Sequence, residues 1–208
     1  MRRRRQWLRQ ACVLGGLYVG LIAQGGASTP GAQDAALRQQ AAKEYQSGDF
    51  AAASRDLAAL VKTAPRDAAL QNLLGQALFR QGRTGEAATH FQSALDLGGD
   101  KLSLTWRRVI TDQLAMALGM SGNLQRSHAV LAAAIARDPD YALNYYNQAC
   151  AYAAENNKSA ALASLKQALE RKNTMIAGEQ FPDPRSDDSF AAYAKDPDFV
   201  SLVAAYIH

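Results

Sequence analysis

From residue 75 the chain reads GQALFRQGRTGEAATHFQSAL. Its small and apolar positions, Gly75, Ala77, Ala87, Phe91 and Ala94, keep a helical spacing on either side of a polar Gln81-Gly82-Arg83. The pattern predicts two helices joined by a tight turn, because Gly suits the left-handed residue that ends a helix. Thirty-four residues earlier, AAKEYQSGDFAAASRDLAAL places Ala41, Gly48, Ala53, Leu57 and Leu60 in phase, and the same interval separates Pro65 from Gly99, each closing a unit. Farther on, AMALGMSGNLQRSHAVLAAAI repeats the pattern with Ala115, Leu118, Gly122, Leu131 and Ala134, closed by Asp138-Pro139, after a slip of six residues taken up in 102–107. A fourth unit, ACAYAAENNKSAALASLKQAL, returns at 34 with Ala149, Tyr152, Ala161, Leu165 and Ala168. Four units, 34–67, 68–101, 108–141 and 142–172, are thus predicted, each a helix-turn-helix.

A glycine within a helix costs roughly 1 kcal/mol against alanine, so Gly75 needs a reason. Two antiparallel helices joined by a short turn can cross closely only where small side chains meet. Gly75 and Ala87 form such a pair, as do Ala41 and Ala53, and Ala149 and Ala161; Ser127 is the small residue at this place in the third unit. Phe91, Leu131 and Leu165 then fill the space between helices. The other turns are expected at Ser47-Gly48-Asp49, Ser121-Gly122-Asn123 and Asn156-Asn157-Lys158.

A stack of helix pairs leaves an apolar end face that needs a cover. Residues 173–208 are read as that cover. Phe181-Pro182-Asp183-Pro184 breaks the helical pattern. A short piece, 189–195, then presents Phe190, Tyr193 and Ala194, and Asp196-Pro197 reads as an N-cap with proline at the first helical position. Phe199, Leu202, Val203 and Tyr206 follow on one helical face. The end face to be covered is expected on the last repeat helix, where Leu162, Leu165 and Leu169 recur. Asp183, Asp187 and Asp188 are read as solvated turn acids, because Arg185 interrupts the spacing of a calcium loop.

Composition supports the helical reading: 48% of the 208 residues are hydrophobic, and Ala, Leu and Gln outweigh β-branched residues. The formal charge of +4 is misleading by itself. Five of the 23 basic residues are arginines within 1–27, which hold no acid, and the remaining 18 stand against 19 acidic residues. No nucleic-acid partner is therefore expected. Residues 1–27 combine a basic start, an apolar run over 11–23 and small residues around 25–28, the pattern of a secretory signal peptide cut near Ala27, with 28–33 as linker. The run is shorter than the roughly 20 residues that span a bilayer. The alternative is an uncut anchor that holds the same domain at the inner membrane as an envelope assembly factor. Arg4-Arg5-Gln6-Trp7-Leu8-Arg9 also resembles a twin-arginine signal, although a basic start serves the general route equally. Arg9-Gln10-Ala11 precedes Cys12 where an apolar residue is wanted three positions before the cysteine, which argues against acylation.

Chemistry-bearing residues are sparse. Beyond the leader the chain has His90, His128, His208 and a single cysteine, Cys150, with no HExxH, GxSxG, P-loop or paired CxxC. A hydrolase built on Cys150 and His128 is the one imaginable catalytic reading, but at their helical phases these residues should face apart. The sequence is read as a non-enzyme with no catalytic residues, no cofactor and no metal.

The 34-residue period and its positions resemble the tetratricopeptide repeat. Unit two carries them best with Leu74-Gly75, Leu78, Ala87, Phe91 and Ala94, and unit four follows with Tyr145, Ala149, Tyr152, Ala161, Leu165 and Ala168. Unit one departs at Gln40 and Glu44, where apolar residues are usual, so its first helix is expected to be frayed. The resemblance implies an all-α, right-handed solenoid of four repeats, and 173–208 is similar to the closing tail of bacterial arrays of this family. It also implies a protein-interaction scaffold, periplasmic or secreted, with first helices lining a concave groove for a protein or peptide. Carried over, the groove positions are Arg38, Ala42 and Tyr45; Asn72, Gln76 and Phe79, with Arg80 adjacent; Asp112 and Met116; and Leu143, Tyr146 and Cys150, with Asn147 beside them. Ala42, Leu73, Val109 and Gln113 replace the basic and amide clamp by which some relatives hold a C-terminal carboxylate. An extended or helical segment anchored between Phe79 and Tyr146, and oriented by Arg80 and Asp112, is the expected ligand.

Overall fold

The computed structural model describes residues 31–207. The leader and its alternatives lie outside them. The described chain is all-α and divides at the Ser121–Gly122 bond into two compact units. The first holds α1 (Ala32–Ser47), α2 (Phe50–Thr63), α3 (Ala68–Arg80), α4 (Thr84–Gly98) and α5 (Leu104–Met120). The second holds α6 (Leu124–Arg137), α7 (Ala142–Ala154), α8 (Lys158–Glu170) and α9 (Pro197–Ala204), with a 3-10 turn at Asp188–Tyr193. No described helix is long and apolar enough to cross a membrane.

In the first unit each helix packs on the next in chain order, from α1 on α2 to α4 on α5. The expected turns form at Gly48 and Gly82, with φ of 86° and 76°, and Asp49 caps α2 by accepting from the Ala52 amide. Asp67 caps α3 through the Ala69 and Leu70 amides and also holds Arg38 of α1 at 3.0 Å. The small residues meet as the sequence pattern requires. A β-carbon on Gly75 would stand 2.8 Å from two ring atoms of Phe91 and 3.3 Å from the Ala87 carbonyl oxygen, while Ala41, Ala53 and Ala87 are buried. Gly75 is thus kept for close approach.

Two details differ from expectation. α1 is continuous rather than frayed: Gln40 donates to Glu44 one turn on, and Ala41 packs inward. The slip of six residues becomes a 3-10 turn at Gly99–Lys101 and one additional N-terminal turn of α5. Ser103 caps that extra turn through the Trp106 amide, and Arg107 ties it back to the Gly99 carbonyl.

In the second unit α6 packs on α7 and α7 on α8. Asn123 and Asn157 cap α6 and α8, and Asn156 takes a left-handed φ of 59° at the turn before α8. The chain from Arg171 then returns along the pair. Thr174 donates to the Asp140 carbonyl, Tyr141 donates to Glu179, and the Arg171 guanidinium lies 4.6 Å over the Tyr145 ring. The 3-10 turn packs on α7 and α9 on α8. Phe190, Phe199 and Val203 are buried with Leu165 and Leu169, while Leu162, Leu202, Tyr193 and Tyr206 are partly covered and Ala194 is exposed. The tail covers both helices of the last pair, not α8 alone.

Candidate functional site

The groove positions of the first unit lie on α1, α3 and α5. Arg38, Asn72 and Asp112 occupy the same place in three successive first helices; Arg38 is half-buried, and Asn72 and Asp112 are buried. Gln76 is buried one turn beyond Asn72, and Met116 is half-buried. Four polar side-chain atoms on these helices are buried without a hydrogen-bond partner, Arg38 Nε and Glu44 Oε2 on α1, Asn72 Oδ1 on α3 and Gln113 Oε1 on α5, and α2 holds another at Asp56 Oδ2. Gln113, which the sequence places only among the residues that replace a carboxylate clamp, is half-buried with its Oε1 enclosed, a tertiary property that the pattern does not show.

The other groove candidates of this unit make internal contacts. Tyr45 meets the Phe50 ring edge-on at 5.1 Å, and the Arg80 guanidinium lies 4.4 Å over that same ring. Gln81 adds a hydrogen bond to the Phe50 carbonyl. Phe79 departs from its expected role as an anchor: its ring is buried, 6.4 Å from the Phe91 ring of the neighbouring α4. It fills the space between helices.

On α7, Leu143, Tyr146 and Cys150 are buried and Asn147 is half-buried. Tyr146 is also corrected as an exposed anchor. Its hydroxyl donates to Asp187 at 2.7 Å, and Phe181 and Phe190 meet its ring edge-on at 5.5 and 5.8 Å. Burial pushes the Tyr146 phenol far above its ordinary range, with Cys150 and Asp187 beside it adding to the effect. The group therefore stays a hydrogen-bond donor. Asp187 is not the solvated acid expected: it is 5% exposed, caps the 3-10 turn through the Ser189 amide and accepts from Tyr146. Asp188 is exposed. Asp183 pairs with Arg185, whose hydrogen bonds hold the Asp183 carboxyl below its ordinary range. A legible signal did exist, since an Asp two residues before Ser189 at the start of a short helical piece is an N-cap pattern.

His90 and His128 serve helix packing. His90 on α4 shares a 2.7 Å hydrogen bond with Gln71 of α3, whose amide in turn reaches the Pro65 carbonyl. Burial lowers the His90 pKa, Arg83 adds to this and Glu86 opposes it. His128 on α6 stacks on Tyr152 at 4.3 Å and places its Nε2 3.2 Å from Glu155. Cys150 is buried one turn from Tyr146 and carries no disulfide. Among the described residues no three His, Cys, Asp or Glu side chains are grouped to hold a metal ion.

The family model described as tetratricopeptide repeat matches residues 34–101 and 113–176. Its interruption, 102–112, follows the 3-10 turn and holds the extra turn of α5. A comparison with curated proteins finds no match.

Proposed function

The chain belongs to the tetratricopeptide-repeat family, whose repeats mediate protein–protein interaction, and from that premise we propose that it is an exported scaffold whose first helices bind a peptide or protein segment. The observation that supports this reading is the recurrence of polar side chains, Arg38, Asn72 and Asp112, at one place on α1, α3 and α5. A peptide backbone offers both kinds of partner that such side chains take, amide N–H for amide and carboxylate oxygens and carbonyl oxygen for a guanidinium. Helix pairs have no free strand edge to offer, so their side chains must read the backbone. Asp112 and Gln76 on the same helices add charge and amide chemistry. Export follows from the basic, then apolar, then small residues of 1–27. No catalytic role is proposed for Cys150 or His128.

Affinity capture from the native envelope with mass spectrometry, repeated with Asn72→Ala/Gln113→Ala, tests the reading. Removing two hydrogen-bonding groups should lower capture of the partner at least tenfold, if each contributes about 1 kcal/mol, with far-UV circular dichroism unchanged. Undiminished capture by the folded variant would move the site to the outer surface of the second helices. N-terminal sequencing of the same material should give a start near Ser28. A retained Met1 in the membrane fraction would favour the anchored assembly factor instead.

A further inference from the structure

The second unit carries a contact that a simple end cover does not require. Covering Leu165 and Leu169 calls only for apolar surface, which Phe199 and Val203 supply. Yet residues 181–190 bury a carboxylate on the adjacent α7, with Tyr146 and Asp187 only 3% and 5% exposed and joined at 2.7 Å. Two rings from the same segment, Phe181 and Phe190, meet the Tyr146 ring at interplanar angles of 85° and 82°. We propose that the inner side of α7 is a recognition site for a short segment bearing a carboxylate between two aromatic side chains, and that residues 181–190 of the chain itself occupy it.

The site rests on the reading of first helices as peptide-binding surfaces, and it defines what a competitor must carry. A buried phenol that loses its acceptor is costly, so an apolar segment cannot replace the strap; it must present an acceptor at the Tyr146 hydroxyl, as the Asp187 carboxylate does. Edge-on ring pairs are directional, which fixes aromatic side chains on the occupant. Tethering gives the chain's own segment a high effective concentration, so an outside segment gains access once the strap is loosened. Cys150 lies four residues from Tyr146 on α7, on the same face, and is buried in the same cluster. Its alkylation therefore reports whether the site is covered.

The test uses the full chain, iodoacetamide, and mass spectrometry of the peptide containing Cys150. Phe181→Ala/Asp187→Ala weakens the strap and leaves α7 intact; alkylation of Cys150 should be about tenfold faster than in the unaltered chain, the size expected for losing a hydrogen bond to a charged group. A synthetic peptide of residues 179–191 in excess should return the rate to that of the unaltered chain, and the same peptide with Asp187→Ala should not. An unchanged rate in the variant, a rate that the first peptide leaves raised, or equal protection by both peptides would overturn the proposal. Should the double variant lose helical signal, Asp187→Ala alone carries the same comparison. Partner capture through Asn72 and Gln113 is measured in the other unit, so the strap site can fail while that reading stands.

Discussion

Replacing Gly75 by alanine sets two known effects against each other. In a helix interior the exchange contributes about 1 kcal/mol of stability through backbone propensity. Here the new β-carbon would lie 2.8 Å from Phe91 Cδ1 and Cε1, roughly 0.7 Å inside the ordinary carbon–carbon separation. The ring has little room to give, because Phe91 is fully buried and Phe79 packs beside it at 6.4 Å. On the other side the Ala87 carbonyl stands at 3.3 Å, so α3 cannot slide toward α4 without a backbone contact. Overpacking of this kind costs about 1–3 kcal/mol. The expected net loss is about 0–2 kcal/mol, and in a domain of about 100 residues each kcal/mol lowers the melting temperature by about 4–8 °C.

The assay is urea and thermal unfolding of a double-mutant cycle followed by far-UV circular dichroism. Phe91→Leu removes the ring atoms and is destabilising by itself, but in that background Gly75→Ala should become neutral or stabilising by up to about 1 kcal/mol. The resulting coupling should fall within the roughly 0.5–3 kcal/mol seen for residues in contact. Additive effects, or a Gly75→Ala variant that melts higher than the unaltered chain, would show that the glycine is not kept for the crossing of α3 and α4.

Truncation after Arg171 should uncover Leu165 and Leu169 and lower the melting temperature by about 5 °C or more, or abolish solubility; an unaltered melt would remove the tail's structural role. Asp67→Ala loses the cap of α3 and the contact to Arg38 and should cost about 1–2 kcal/mol, whereas Asp67→Asn keeps the cap and should recover most of it; an equal loss in both would assign the effect to the ion pair. His90 has its pKa lowered in the fold, chiefly by burial, so the unfolded chain binds the proton more readily. The stability contributed by neutral His90 should be complete above the unfolded value of about 6.5 and be lost as pH falls through the folded value. Urea unfolding at about pH 7.5 and 5.5 should show a loss that His90→Gln reduces; equal losses in both proteins would exclude His90 as the source.

Much of the helical order is legible because it depends on contacts within about one repeat. Gly48, Gly82, Gly122 and Asn156 mark turns that the structure places at positive φ, and the pairing of Gly75 with Ala87 follows from a separation of twelve residues. Local pattern failed where a local interaction substituted for an apolar residue. Gln40 and Glu44 of α1 bond each other one turn apart, so polar residues at usually apolar places did not fray the helix. The six-residue slip was legible as an interruption, but its form was not. Ser103 and Arg107 extend α5 backward by capping and by a bond to Gly99, and both effects need the turn to exist first.

The candidate site was legible in phase and not in coverage. Arg38, Asn72 and Asp112 recur at one place on successive first helices, and a period reads that from sequence alone. Exposure is a separate matter, because a residue on an inner face can be taken by the next helix or by a segment far along the chain. Phe79 is claimed by Phe91, twelve residues on. Tyr146 is claimed by Asp187, forty-one residues on, through a loop whose proline-rich start carries no helical period from which contacts could be read. What such a loop still carries is chemistry: a buried tyrosine needs an acceptor, and 173–191 holds few carboxylates flanked by aromatic residues. Inner-face position thus limits which side chains can meet a ligand, and the acid that completes a buried donor decides whether the ligand comes from outside or from the chain itself.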